Sequence, residues 1–125
     1  GERLATMMSP TIVERSDGAL YVLGTGGSNR IRTAILQVIS ALIDDGATPE
    51  EAVTRPRLHY EAGVLNAEIY GSAPLSALKN IEAESFVTFE AHHLFFGGVN
   101  LATRSANGQL TGQGDPRRGG HAIIV

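Results

Sequence analysis

The hydrophobic pattern of this chain changes period within a few residues. Leu20-Tyr21-Val22-Leu23 is an aliphatic and aromatic run that suits a pleated sheet, and it empties into Gly24-Thr25-Gly26-Gly27-Ser28-Asn29. Beyond that turn Ile31, Ala34, Ile35, Val38, Ile39 and Leu42 recur every three or four residues, with Arg32, Thr33, Gln37 and Ser40 between them. That is the signature of an amphipathic helix. A strand, a glycine turn and a helix in this order bring backbone N–H groups to the positive end of the helix dipole. Something negative fits there: a phosphate, a substrate carboxylate, or the oxyanion that develops on a carbonyl during acyl transfer. A tight strand-to-helix turn without any ligand also accounts for the glycines. No Gly-Lys-Ser/Thr follows, and the glycine spacing does not fit a dinucleotide fingerprint.

The flanking segments predict an α/β chain with no linker and no internal repeat. Thr11-Ile12-Val13 and the Leu20 run are joined by Ser16-Asp17-Gly18, which has the residues of a hairpin turn. Gly46 is expected to stop the first helix. Thr48-Pro49-Glu50-Glu51 carries a capping residue, a proline at the first helical position and a glutamate three after the cap, so a second short helix begins there and ends by Arg55, ahead of Pro56. Strands are expected over 57–60 and 65–69 around Gly63, a short helix over 74–83 and an alternating strand over 85–90. A glycine-broken strand follows over 94–103, and the last strands over 110–113 and 121–125. Asn107-Gly108 is the strongest short hairpin signal in the chain.

Composition removes several function classes. The sequence is 42% hydrophobic and 18% charged, without low-complexity tracts, so it has the material for a packed core. Net charge is -3 and the ten Lys and Arg are scattered apart from Arg117-Arg118, which argues against a nucleic-acid partner. The longest apolar stretch, 34–43, is interrupted by Gln37 and Ser40 and falls short of the roughly 20 residues of a membrane span, so no membrane partner is expected. The absence of cysteine removes thiolate nucleophiles and thiolate metal sites and leaves the compartment, periplasmic, secreted or cytoplasmic, undetermined. His92-His93 would point to opposite faces of a strand, and His59 and His121 are isolated, so neither metal nor cofactor is expected. Gly112-Gln113-Gly114-Asp115-Pro116-Arg117-Arg118-Gly119-Gly120 concentrates two arginines beside an aspartate. It reads as a carboxylate site or, more commonly, as an internal Asp–Arg tie that fixes the last strand. Arg55-Pro56-Arg57-Leu58-His59 poses the same choice between binding and packing. Nothing within the chain is plainly a nucleophile, and the start at Gly1 without methionine suggests a processed protein or part of a longer one.

Four ordered blocks carry a resemblance. They are Met8-Ser9-Pro10-Thr11-Ile12-Val13, Gly24-Thr25-Gly26-Gly27-Ser28-Asn29-Arg30-Ile31, Pro49-Glu50-Glu51-Ala52-Val53 with Arg55-Pro56-Arg57-Leu58-His59, and Gly114-Asp115-Pro116-Arg117-Arg118-Gly119-Gly120. In order and spacing they resemble the gamma-glutamyltranspeptidase family over essentially the whole chain. The matching region is the C-terminal two thirds of that family's small subunit.

The resemblance implies an α+β fold, the C-terminal part of an Ntn-hydrolase αββα sandwich with mostly antiparallel sheet and flanking helices. Residues 1–125 would form one domain. It implies a protein made as one chain that cuts itself, exposing a threonine nucleophile upstream of Gly1, so this chain alone should not turn over. Its partners would be that upstream part and a gamma-glutamyl substrate of the glutathione type, whose acyl group passes to water or an amine. The oxyanion-hole glycines of the family fall on Gly26 and Gly27, with Ser28 as a contact; the ungapped match gives Gly27 and Ser28 instead. The pair that binds the glutamyl carboxylate, two serines in the family, falls on Thr6 and Met7. Thr6 keeps a hydroxyl, but a methionine cannot donate to a carboxylate, which leaves a related acylase or a relaxed gamma-glutamyl hydrolase as further readings. An inactive scaffold homologue and a small-anion-binding module are the alternatives. An isolated chain whose missing strands leave a sheet edge open is expected to self-associate.

Overall fold

The computed structural model describes residues 1–70, 78 and 80–125. The expected first hairpin is formed by β1 (Thr11–Glu14) and β2 (Leu20–Gly26), antiparallel with Thr11 opposite Leu23. Its loop is three residues long. Arg15 N–H donates to Ala19 O, Gly18 N–H to Arg15 O, and Asp17 Oδ1 accepts from Ala19 N–H, with Gly18 at φ +84°. The hairpin of β6 (Gly98–Arg104) and β7 (Leu110–Gln113) repeats the device, with Asn107 in the role of Asp17 and Gly108 at φ +87°. An Asp or Asn that bonds its own backbone two residues on, followed by a left-handed glycine, closes a three-residue hairpin loop.

These four strands form one antiparallel sheet in the order β1-β2-β6-β7. α1 (Arg30–Ile43) lies on one face and buries Ile31, Ala34, Ile35, Val38, Ala41 and Leu42 against Leu23, Val99 and Leu101. Complete burial of each large aliphatic side chain contributes about 1.5–3 kcal/mol, so this layer is the main source of cohesion. α1 ends as expected at Gly46 (φ +66°), where Ala47 N–H reaches back to Ala41 O. α2 (Pro49–Thr54) starts on a complete capping box: Glu51 N–H donates to Thr48 Oγ1, and Thr48 N–H donates to Glu51 Oε2 at 2.8 Å. The Thr48 backbone and side-chain donors hold the Glu51 carboxyl below the usual carboxylate range.

The opposite face of this sheet is open over β1 and β2, while the C-terminal segment crosses it over β6 and β7, with Gly120 beside Asn100 and Ala122 beside Gly112. Ile12, Val22, Ala102 and Gly112 lie opposite one another in register across all four strands, and Ile12 and Val22 are exposed. A second sheet holds β3 (Leu58–Glu61), β4 (Val64–Glu68) and β5 (Ser85–Phe89); β3 pairs antiparallel with β4, and β4 pairs parallel with β5. The β3–β4 turn is Ala62-Gly63, both at positive φ, the two-residue arrangement whose twist suits a hairpin. The fold is therefore α+β with mostly antiparallel pairing, as expected.

Two expectations are corrected. Residues 94–103 are not one broken strand: Leu94–Phe96 is a 3-10 turn that ends at Gly97 (φ +79°), and the strand starts at Gly98. His93 caps the turn by accepting from Phe95 N–H, and Phe95 and Phe96 fold inward to stack on and against Phe89. Residues 121–125 form no strand. Gly114 and Gly120 pack backbone to backbone, and the chain then crosses over the sheet at Gly112, beside Ala122, rather than continuing along the β7 edge. The short helix expected over 74–83 falls largely outside the described residues.

Candidate active site

The glycine turn expected from the sequence is built where β2 ends. Gly26 is the last ladder residue, opposite Gly98; Gly27 follows at φ +138° and Ser28 at φ +56°. A left-handed backbone costs a serine roughly 1–2 kcal/mol, so something holds it there. One constraint is steric: a Cβ on Gly27 would lie 3.0 Å from Gly97 Cα, so two glycines meet face to face. A second is polar. Asn29 stands at the N-cap of α1, yet its side chain does not cap the helix; Nδ2 donates to Glu61 Oε1 at 2.8 Å. Glu61 also meets Arg32 at 3.3 Å and the buried His59 at 3.4 Å, and Thr33 Oγ1 lies 2.9 Å from the other nitrogen of that ring.

Diversion of the Asn29 side chain leaves the helix start uncapped by any side chain, and no acidic residue occupies the first turn. Among the described residues, the N–H groups of Gly27 and Ser28 donate to no protein acceptor. Consecutive N–H groups near the positive end of a 14-residue helix, with backbone of opposite hand at Ser28 and Asn29 (φ -58°), form a concavity suited to an oxyanion.

The N-terminal segment comes to the same turn. Ser28 Oγ donates to Met7 Sδ at 3.5 Å, and a cleft of about 540 Å³ is lined by Ala5, Thr6, Met7, Met8, Ser28 and Ile31. Thr6, Met7 and Ser28, expected as substrate contacts from far-apart sequence positions, thus line one space. Thr6 Oγ1 is partly engaged, accepting from Met8 N–H at 3.1 Å. Of the nearby cations, Arg30 donates to Phe95 O and stacks 4.6 Å from the Phe95 ring, and Arg32 reaches Glu61.

The second concentrated motif is internal. Asp115 is fully buried; its Oδ2 accepts from Val99 N–H at 2.8 Å and meets Arg57 at 2.7 Å, while Oδ1 accepts from Arg117 N–H at 2.9 Å and meets the Arg117 side chain at 3.3 Å. Arg117 also pairs with buried Glu68 and donates to Val53 O and Arg55 O, carbonyls at the end of α2. Arg57 donates to Val53 O and Phe96 O. The two arginines and two carboxylates tie both sheets, α2 and the C-terminal 3-10 turn Pro116–Arg118 together. Burial, with Arg117 alongside, pushes the Arg57 guanidinium below its ordinary value. For Arg117 burial pulls the same way, but the hydrogen bond and charge of Glu68 and the charge of Asp115 outweigh it, so that guanidinium is held above its ordinary value. Tyr70, whose hydroxyl donates to Thr54 O and accepts from Arg117, is pushed up to about 12 by burial. Of the two readings left open for this motif, the internal tie is the one built.

Sequence reading missed Glu68, although a glutamate directly after Leu65 and Ala67 in the strand β4 was a signal that it needed a buried partner. It also missed the Asn29–Glu61–His59–Thr33 chain, for which local sequence offers no signal. His92 and His93 are engaged separately, with Thr54 O and Phe95 N–H. Among the described residues no three His, Asp or Glu side chains converge on a metal position, and no helix is long and apolar enough to cross a membrane.

Comparison with known proteins identifies the family and the fold. A family model described as Gamma-glutamyltranspeptidase matches residues 1–125. The Acylase ACY 1 proenzyme of Pseudomonas sp. (strain V22) is 30% identical over 125 residues, covering 100% of this chain and 22% of that protein. The glutathione hydrolase proenzyme of Pseudomonas aeruginosa is 32% identical over 127 residues, covering 100% of this chain and 23% of that protein. The chain thus spans about a fifth of the length of these curated relatives. Among solved structures, the Bacillus anthracis transpeptidase CapD aligns with a TM-score of 0.80 at 25% identity, covering 100% of this chain and 75% of that one. Gamma-glutamyltranspeptidase from Pseudomonas nitroreducens, complexed with L-DON, aligns at 0.78 and 27%, covering 100% and 65%. The fold is that of the Ntn-hydrolase gamma-glutamyltranspeptidase structures. With its whole length matched in sequence and in strand arrangement, this chain belongs to the gamma-glutamyltranspeptidase family.

Proposed function

We propose that this chain supplies the oxyanion-binding turn, Gly26-Gly27-Ser28, to an acyl-transfer enzyme that cleaves gamma-glutamyl amides. The threonine nucleophile comes from the protein upstream of Gly1, and residues 1–125 form the C-terminal domain of the small subunit. The observation that carries the proposal is the pair of N–H groups at the start of α1 with no protein acceptor among the described residues, on a turn held by the Gly27–Gly97 contact and the Asn29–Glu61 tie. Gly27 belongs to both possible glycine pairings, so its N–H is the donor on which the reading rests. In the reaction the threonine hydroxyl attacks the amide carbonyl, its own α-amine takes the proton, and the turn stabilises the tetrahedral oxyanion. Collapse expels the amine with that proton and leaves an acyl ester on the threonine. Attack by water makes the enzyme a hydrolase; attack by an amine makes it a transferase.

The acyl group itself is open to a second reading, favoured by Met7. The thioether occupies the position beside Ser28 at which the family resemblance calls for a serine, and an acylase stands beside the glutathione hydrolase among the relatives. A thioether presents an apolar surface where a hydroxyl would have donated to a carboxylate. In the protein with its upstream sequence joined, Met7→Ser is expected to raise kcat/KM on a chromogenic gamma-glutamyl anilide about tenfold, the size of one added hydrogen bond to a charged group. A neutral acyl anilide should lose rate with the same change. The basic test is turnover of these anilides by the chain alone and by the joined protein. Activity only when joined supports the proposal; a joined protein inert on every amide removes it.

The open part of this sheet face bears on the isolated chain. Ile12 and Val22 are the surface that the upstream part would cover, and without it the chain is expected to dimerise or aggregate in sedimentation runs at micromolar concentration. A strictly monomeric isolated chain would argue against a missing sheet on this face.

A further inference from the structure

We infer that Arg118 is a specificity-determining residue that binds a carboxylate of the substrate beside the oxyanion turn, at Gly26. This rests on the acyl-transfer reading above and names a recognition group within it.

The placement of Arg118 follows from strand parity. Leu23 is buried against α1, so Val22, Gly24 and Gly26 point to the opposite face of the sheet, and their partners Ala102, Asn100 and Gly98 point there too. At the last pair of that row both residues are glycine. A Cβ on Gly98 would lie 2.7 Å from Arg118 Cγ and Cδ and 2.9 Å from its Cβ, and a Cβ on Gly26 would lie 3.9 Å from Cζ and NH1. The aliphatic stem of Arg118 therefore occupies the space that two side chains would have taken, and it delivers the guanidinium beside Gly26, the first residue of the turn.

That guanidinium is not committed elsewhere. Asp115, three residues away, uses both carboxylate oxygens on Arg57, Arg117 and two backbone N–H groups. Arg30 and Arg32, the other cations near the turn, are occupied by Phe95 and Glu61. Among the described residues the Arg118 side chain has no hydrogen-bond acceptor and no acidic partner, and it is exposed on that sheet face. Neighbouring Arg117 and Arg118 thus divide the work: one is locked into the interior, the other is held extended over glycines with its charge free. A planar guanidinium presents paired donors that match a carboxylate. The turn then has an apolar flank at Met7 and Ile31 and a cationic flank at Arg118.

Two carboxylates could reach this flank, the donor's α-carboxylate at the far end of the glutamyl chain from the scissile amide and one on the leaving amine. The experiment uses the joined protein and four gamma-glutamyl anilides: donor α-carboxylate free or as its methyl ester, each with a plain nitroanilide or a carboxy-nitroanilide leaving group. Arg118→Ala is expected to lower kcat/KM about 10- to 100-fold on whichever pair carries the recognised carboxylate, mostly through KM, and to leave the matched neutral substrate unchanged. Arg118→Lys should recover part of the loss, since charge returns without the paired geometry. Gly98→Ala, which pushes the stem away while keeping the charge, should reproduce the selectivity loss of Arg118→Ala. A uniform loss across all four substrates, or no loss on any, overturns the inference while wild-type turnover keeps the proposed function standing. An inert wild-type joined protein would defeat that function, and this inference with it.

Discussion

Gly27→Ala, made in the protein with its upstream sequence joined, is expected to lower turnover of a gamma-glutamyl anilide by about 100- to 1000-fold, the usual cost of one lost oxyanion donor. Two constraints act at this residue. Its φ of +138° is one that side-chain-bearing residues rarely adopt, and the added Cβ would stand 3.0 Å from Gly97 Cα, a backbone atom that cannot swing aside. To relieve that contact the turn must rotate, and the rotation re-aims the Gly27 and Ser28 N–H groups. The stability cost should be smaller, about 1–3 kcal/mol for a strained backbone position, because the α1 layer lies beyond the turn. Gly24→Ala is the matched control, since a Cβ there meets nothing within 4 Å. A folded Gly27→Ala protein with near wild-type kcat would remove this turn from the reaction.

Asp115→Ala should have the largest effect on folding. The carboxylate is wholly buried and receives two backbone N–H groups and two guanidinium groups, so its removal leaves Arg57 and Arg117 facing each other with only Glu68 to balance them. Breaking one partner out of a buried ion cluster costs about 3–5 kcal/mol, a large share of the roughly 5–15 kcal/mol that holds a domain folded. The cost should appear as a lower urea midpoint, or as failure to accumulate folded protein. By contrast Asp17→Asn, at the half-exposed Arg15 pair, should shift stability by less than about 1 kcal/mol. An Asp115→Ala midpoint near that of Asp17→Asn would mean the cluster is a consequence of the fold and not a support for it.

The two arginines of the C-terminal motif show how far a local reading reaches. The sequence analysis left Asp115-Pro116-Arg117-Arg118 between a carboxylate site and an internal tie, and the two arginines part ways structurally: Arg117 forms the tie and Arg118 stays outside it. Arg117 enters the interior because Glu68 and the carbonyls of Val53 and Arg55 lie within its reach. Arg118 stays outside because the next turn of backbone aims it at Gly98. Nothing in four consecutive letters distinguishes these destinations. The start of the expected strand over 94–103 differed for a similar reason: Phe95 and Phe96 have strand propensity, but the aromatic cluster with Phe89 rewards a tight turn more, and the strand begins only at Gly98.

Short-range physics was legible in the sequence alone. The strand-to-helix switch at Gly24–Asn29, the two three-residue hairpin loops, the Thr48 capping box and the Gly46 stop all depend on residues within a few positions of each other, where turn geometry and periodicity suffice. The family resemblance followed from the same letters and their spacing. Tertiary structure alone decided the contacts that close over long separations. Arg117 meets Glu68 across 49 residues and Val53 across 64, Gly27 abuts Gly97, and Met7 reaches Ser28 across 21. Those pairings depend on how two sheets and a helix pack, and a buried charge or a side-chain-free surface finds its partner only once that packing exists.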